Sequence, residues 1–62
     1  MGKLTIRETK DTDGQRWWDV YDGPDCWLEF NPRKMTRTEE VALHREVREQ
    51  DREAVEARWR EL

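Results

Sequence analysis

Side chains that commonly carry out catalysis or bind metals are few in this chain and are not grouped. His44 is the only histidine and Cys26 the only cysteine, and no obvious third ligand accompanies them. A zinc site needs several ligands drawn together. A Cys26–His44 nucleophilic pair would need a cleft with an oxyanion hole, which a domain this small rarely encloses. We therefore expect no metal, no cofactor and no nucleophilic centre.

The carboxylates and glycines give no better candidates for chemistry. The 15 Asp and Glu residues are dispersed along the chain, so no pair stands out as a general acid and base. Gly14 and Gly23 belong to no phosphate-binding loop pattern. The sequence thus predicts a protein that is not an enzyme.

Aromatic side chains point to recognition rather than reaction. Trp17, Tyr21 and Trp27 are predicted on one face of a sheet, with Arg7 beside them. Trp, Tyr and Arg dominate the energetics of protein interfaces, and exposed rings can also stack on bases. The alternative interpretation is that the rings only stabilise a small sheet by cross-strand contacts.

Three strands would position these rings. Alternation of apolar and polar residues predicts strands over residues 3–9, 16–21 and 26–30. The turns between them are signalled by Asp11-Thr12-Asp13-Gly14 and by Asp22-Gly23-Pro24-Asp25, and Gly14 suits the positive φ of a turn with a bulge.

The expected register gathers the aliphatic side chains on one face of the sheet. It places Ile6 opposite Val20 and Asp22 opposite Cys26. The core face would then carry Leu4, Ile6, Trp18, Val20, Leu28 and Phe30. The open face would carry Thr5, Arg7, Trp17, Asp19, Tyr21, Trp27 and Glu29. The alternative is a two-residue turn at Asp22-Gly23, which would shift the second hairpin by one residue.

A long charged helix is predicted over residues 36–61. Thr36 is a suitable N-cap, Glu39 completes a capping box, and neither proline nor glycine follows Pro32. A break near residues 50–51, giving two shorter helices, is the structural alternative. The predicted fold class is α+β: a three-stranded antiparallel meander followed by one C-terminal helix packed on one face.

A second apolar patch is predicted at the distal end of this helix. Val55, Trp59 and Leu62 share one side of it, rotated from the side that would cover the sheet. Such a patch would form a dimer or dock on a partner as a helix in a groove. The alternative is that the helix lies diagonally and Trp59 covers the edge of the core.

Length and charge set the limits of the molecule. The 62 residues make a single small domain, 1–62, and a chain this short buries a small core. The net charge of −3 belongs to residues 1–31, with four basic and seven acidic residues, whereas residues 32–62 have eight of each. Neither a signal peptide nor a membrane-spanning run is evident. We expect a cytoplasmic protein with no membrane partner.

The order of elements resembles that of the compact three-strand-plus-helix DNA-binding modules of plant AP2 factors and of some phage integrase arms. The resemblance covers residues 3–50 and implies a module whose open sheet face enters the major groove. That face has Lys3 and Arg7, but Asp19 and Glu29 depart from the Arg- and Lys-rich surface of those modules. The departure falls on the residues that would read DNA.

A small non-catalytic protein-binding module is the expected function, acting on a larger protein through the open face or the distal patch, or as a homodimer. A stoichiometric inhibitor or adaptor, of the kind that phages and mobile elements encode, fits this size. The alternative is a DNA-binding module with Arg7, Trp17 and Trp27 as contacts, and a third is a subunit that folds only within an assembly. Asp19 and Glu29 repel phosphates and favour a protein partner.

Overall fold

A computed structural model describes residues 2–62. Its sheet has three antiparallel strands in the order β1-β2-β3: β1 (Leu4–Lys10), β2 (Arg16–Asp22) and β3 (Asp25–Phe30). A short 3₁₀ turn (Pro32–Lys34) follows, and two helices complete the fold: α1 (Arg37–Arg48) and α2 (Arg52–Glu61). The α+β class and the meander are confirmed, whereas the prediction of one long C-terminal helix is wrong.

The first hairpin has the predicted register, with Ile6 opposite Val20. Its turn is held by Asp11, whose Oδ1 accepts hydrogen bonds from the backbone N–H groups of Asp13 and Gln15, both at 2.9 Å. Gly14 has φ +83°, a conformation that costs glycine little. The turn chemistry read from the sequence therefore sets the pairing of β1 with β2.

The second hairpin keeps the expected register up to Val20 and is shifted by one residue from Tyr21 to its turn, which is Gly23-Pro24 rather than Asp22-Gly23. Val20 lies opposite Leu28, as predicted, but Tyr21 lies opposite Cys26 and the ladder shifts between Val20 and Tyr21. Trp27 is the extra residue of a β-bulge, which breaks the alternation of side chains between the two faces. The expected pairing of Asp22 with Cys26 is wrong, because the strands are joined by a tight two-residue loop.

One face of the sheet forms the core with the helices. Leu4, Val20, Leu28 and Phe30 are buried there, as predicted, and Ile6 and Trp18 pack partly buried against them. The helical side of the core consists of Met35, Leu43, Val47 and Val55. The opposite sheet face has no helix over it.

The helical segment begins as predicted. The Thr36 hydroxyl accepts a hydrogen bond from the Glu39 N–H at 3.1 Å, and the Glu39 carboxylate accepts one from the Thr36 N–H at 2.8 Å. This reciprocal capping box satisfies two backbone donors at the start of α1.

Gln50 ends α1 in the left-handed conformation, with φ +59°. The Gln50 N–H donates to the Val47 carbonyl at 3.0 Å and the Asp51 N–H to the Glu46 carbonyl at 2.9 Å. This is the Schellman pattern, in which glycine is the usual left-handed residue. Asp51 then caps α2 by accepting from the Ala54 N–H at 3.1 Å. The break considered at residues 50–51 is therefore confirmed.

The turn between the helices also corrects the predicted distal patch. α2 folds back toward β3, so Val55 is 0% exposed and belongs to the core. Within residues 2–62, neither helix has the length and apolar character required to cross a bilayer.

Candidate functional site

The open sheet face is centred on Asp19, in the middle of the central strand. Arg7 of β1 and Glu29 of β3 lie directly across from it. Trp17 and Tyr21, two residues away on either side along β2, share its face and are half-buried. A carboxylate flanked by two aromatic rings therefore occupies the centre of a surface that no helix covers.

Asp19 is the least exposed residue of this face, at 8%. The Thr9 hydroxyl donates a hydrogen bond to its Oδ2 at 2.9 Å. Its other oxygen, Oδ1, is buried and accepts no hydrogen bond from any of residues 2–62. Because a buried carboxylate oxygen without a donor lowers stability, Asp19 is a local energetic defect outside the main core.

Arg7 does not correct this defect. Although it lies opposite Asp19, its guanidinium stacks over the Tyr21 ring, 5.3 Å from the centroid. Such cation–π contacts at exposed sites contribute about 0.5–1 kcal/mol. The arginine opposite Asp19 thus lies on a ring, and the carboxylate has no ion-pair partner among the described residues.

Cys26 occupies the place on the open face that was predicted for Trp27. Its thiol is exposed, and partial burial together with the nearby Asp19 and Glu29 carboxylates raises its pKa. A raised pKa reduces the thiolate that a nucleophile needs. His44 lies on the helix side of the sheet, with its ring edge-on to Trp18 at 4.5 Å, so Cys26 and His44 do not form a pair.

Trp27 is the predicted open-face residue that the structure places elsewhere. The bulge turns its ring to the helix side, where it packs against the core and the Arg52 guanidinium lies 4.9 Å from its centroid. Arg52 also forms an ion pair with Asp22 at 3.0 Å. Trp27 therefore helps to hold α2 on the sheet and does not line the open face.

A cleft of about 440 Å³ lies beside the open face, at the outer edge of β3. Trp17 comes to it from β2, and Trp59 and Leu62 come from the end of α2. Trp59 and Leu62 are 45% and 39% exposed. The Trp59 indole N–H donates to the Glu29 carbonyl at 3.2 Å. One residue of the predicted open-face set and two of the three residues of the predicted distal patch therefore meet in one place.

Lys34 and Arg60 also line this cleft, and sequence reasoning did not assign them a role. No sequence motif around either residue indicates a binding role. Arg60, for example, comes near Trp17 only because α2 returns toward β3. The cleft thus combines apolar ring surface with residues of both charges, Lys34, Arg60 and Glu29. Among residues 2–62, no three His, Cys, Asp or Glu side chains are grouped so as to hold a metal ion.

Replacement of Thr9 by valine should test whether Asp19 is a stability defect. The change removes the one hydrogen bond to a buried carboxylate, which we expect to cost about 1–3 kcal/mol. A double change, Thr9→Val with Asp19→Val, should recover most of that loss, because apolar groups of similar shape then replace both polar partners. Thr5→Val is the matched control, since Thr5 is exposed on the same face. Thermal unfolding would measure all three variants, and a Thr9→Val protein as stable as Thr5→Val would contradict the expectation.

No family model, curated protein or solved structure matches this chain. Function is therefore inferred from the geometry and chemistry of the site itself.

Proposed function

We propose that this protein is a small non-catalytic binding module that captures a larger protein through its open sheet face. The observation that carries the proposal is the cleft in which Trp17, Trp59 and Leu62 meet at the margin of that face. Tryptophans that become fully desolvated in a complex are among the side chains that contribute most to protein association. An apolar side chain of the partner would enter the cleft, and the flat face beside it would take the surrounding contacts.

The polar part of the face favours a partner with hydrogen-bond donors. Asp19 has an unused acceptor oxygen and Glu29 is exposed beside it. Because Asp19 Oδ1 is buried, a donor from the partner would pair with the exposed Glu29 carboxylate instead. Such a polar contact at the rim contributes specificity more than affinity.

The charge of the face favours a protein over duplex DNA. DNA binding depends on several Lys and Arg contacts with phosphates, and here the central row of the face has one arginine, Arg7, and two carboxylates, Asp19 and Glu29. With no catalytic grouping assigned, occupation of a partner's surface is the action that the module can perform. We propose a stoichiometric inhibitor or adaptor that acts in the cytoplasm, of the type encoded by phages and mobile elements. Self-association through the cleft is the other use of the same surface.

Affinity capture from the native host, read by mass spectrometry, tests this surface. We expect Trp17→Ala and Trp59→Ala each to reduce the captured partner by about tenfold or more, as hot-spot tryptophans do. Trp27→Ala is the matched control, because it makes the same chemical change on the helix side; if it melts at the capture temperature, Trp27→Phe replaces it. Circular dichroism would confirm that each variant is folded.

Three results would contradict the proposal. One is equal capture by Trp17→Ala, Trp59→Ala and the wild type. Another is loss of capture only in folded Trp27 variants. The third is tight binding of duplex DNA that falls steeply with salt in a gel-shift titration, which would favour the DNA-binding alternative.

A further inference from the structure

The outer face of α1 carries a row of arginines around one valine. At about 100° per residue, Arg37, Val41, Arg45 and Arg48 fall within an arc of about 80°, pointing away from the sheet. All four are exposed, and Val41 is 54% exposed, more than any other large hydrophobic residue among those described. We call these four residues the α1 stripe.

The arginines of the stripe differ from most others in the protein. Ion pairs hold four arginines elsewhere: Arg16, Arg52, Arg58 and Arg60. Within residues 2–62, no carboxylate oxygen lies within 4.0 Å of a stripe guanidinium. The stripe is therefore a set of cations without internal partners on a protein whose net charge is −3.

Local helix energetics do not account for the whole stripe. Arg45 and Arg48 lie in the last turn of α1, where the helix dipole favours cations. Arg37 is the first residue of the helix, where the same dipole disfavours a cation. Arg45 and Arg48 are also spaced i,i+3, so their like charges repel. The unfavourable dipole at Arg37 and the repulsion between Arg45 and Arg48 each lower the stability of α1 slightly, so helix stability does not explain why three cations surround Val41.

The stripe forms one wall of a cleft of about 400 Å³, with Trp18 as the other. Glu40, the carboxylate in this cleft, accepts a hydrogen bond from the Trp18 indole N–H at 3.0 Å. The Arg16 guanidinium lies 5.4 Å from the centroid of the Trp18 ring, and His44 meets the same ring edge-on. Trp18 is thereby occupied by its neighbours, and Val41 remains the free apolar group.

We propose that the α1 stripe is a second docking site, which takes an acidic segment of a partner protein. Carboxylates of that segment would pair with Arg37, Arg45 and Arg48, while an apolar side chain between them would cover Val41. Complementary charge around a central apolar contact is the usual arrangement of a protein interface. Nucleic acid fits less well, because it would leave Val41 uncovered and would find no free ring on Trp18 to stack against.

This site is independent of the open sheet face. The stripe lies on α1, on the helix side of the sheet, and the clefts beside the stripe and beside the open face share no lining residue. A partner on the stripe and a partner on the open face can therefore be bound together. A protein that binds two partners at once can act as an adaptor, which is one of the two forms of the proposed function.

Fluorescence anisotropy on the full chain tests the stripe. The probe is a fluorescein-labelled helical peptide with four glutamates around one leucine, and its control carries glutamines in place of the glutamates. We expect saturable binding of the acidic peptide alone, weakened by salt. Single changes Arg37→Gln, Arg45→Gln and Arg48→Gln should each weaken binding by about two- to fivefold, and the triple change by about tenfold or more.

Arg33→Gln is the matched control, because it makes the same charge change at an exposed arginine of the 3₁₀ turn, outside α1. It should leave the peptide affinity within about twofold of the wild type. The proposal is overturned by equal binding of the two peptides, by no saturable binding, or by an equal loss in Arg33→Gln. It is also overturned if a fluorescein-labelled DNA duplex binds more tightly than the acidic peptide and depends on the same three arginines.

Discussion

Replacing Gln50 with alanine is expected to destabilise the protein by about 2–3 kcal/mol, a large share of the stability of a 62-residue domain. The Gln50 carboxamide pairs with the free edge of β1. Its Oε1 accepts from the Leu4 N–H at 2.7 Å, and its Nε2 donates to the Leu4 carbonyl at 2.9 Å. Nε2 also donates to the Val47 carbonyl at 2.9 Å. Alanine would remove all three hydrogen bonds at once.

A glycine at the same position separates the side-chain bonds from the backbone strain. Gln50 has φ +59°, which glycine adopts at less cost than alanine by about 1 kcal/mol. Gln50→Gly should therefore be more stable than Gln50→Ala, yet less stable than the wild type. Urea unfolding would measure the series, with Gln15→Ala as the matched control because the Gln15 amide also donates two hydrogen bonds, to the Arg16 carbonyl and to Asn31 Oδ1, but not to a free strand edge. A Gln50→Ala protein within about 0.5 kcal/mol of the wild type would show that the side-chain bonds contribute little.

Gln50 also shows why the helix break was hard to predict. The usual sign of a helix end is Gly or Asn at the left-handed position, and neither occurs after Pro32. What holds a glutamine there is a contact with Leu4, 46 residues away in sequence. Local propensity contains no information about such a contact. The start of α1 was predictable because its capping box is local to Thr36 and Glu39.

The second hairpin shows a similar limit. Alternation correctly assigned Leu28 and Phe30 to the core, and it failed at Trp27 because a single inserted residue reverses the faces beyond it. The sequence of the turn, Gly23-Pro24, does indicate a particular loop. Pro24 cannot take the positive φ that a type I′ turn requires, so Gly-Pro favours a tight loop of type II′. The observed φ of +61° at Gly23 agrees with that type. A tight loop at Gly23-Pro24 shifts the pairing by one residue, and only a bulge lets Val20 still lie opposite Leu28.

The sequence predicted that the site is an exposed aromatic sheet face, but it did not predict all of the residues that form it. Trp17, Tyr21 and Arg7 lie on the open face because the β1–β2 register follows from a well-defined turn. Trp59 and Leu62 were correctly identified as exposed, but their meeting with Trp17 depends on the return of α2 toward β3. The burial of Asp19 depends on the sizes of its neighbours across three strands. The alternation of residues predicts which face of the sheet a side chain lies on, whereas its exposure depends on how its neighbours pack around it.

The ion pair between Glu46 and Arg58 should dominate the loss of stability in acid. Glu46 on α1 is buried, and both of its oxygens accept from the Arg58 guanidinium on α2, at 2.9 and 2.8 Å. The hydrogen bonds from Arg58 lower the pKa of Glu46, against the opposing effect of partial burial, and the positive charges of Arg58 and Arg45 add to the lowering. This bidentate pair fastens the two helices to each other on either side of the break at Gln50.

A folded-state pKa below the ordinary value fixes the sign of the pH dependence. The charged carboxylate stabilises the fold fully above the usual glutamate pKa of about 4.3, and the contribution is lost as the pH falls through the lower folded-state value. Glu46→Gln should therefore cost about 2–3 kcal/mol near neutral pH, since it leaves Arg58 largely buried without its counter-charge. The difference between variant and wild type should shrink toward zero in acid.

Urea unfolding across a series of pH values would measure this difference, and Glu56→Gln provides the matched control. Glu56 pairs with Arg60 one turn away on the same helix, but both side chains are more exposed, so the control should change stability by only a few tenths of a kcal/mol. Subtracting the two variants removes the pH dependence common to the rest of the chain, including the lowered pKa values of Asp22 and Glu39. A Glu46→Gln penalty that stays constant from neutral to acid pH would mean that the charge of Glu46 does not hold the helices together. The cohesion of α1 and α2 would then lie in the apolar packing of Val47 and Val55 alone.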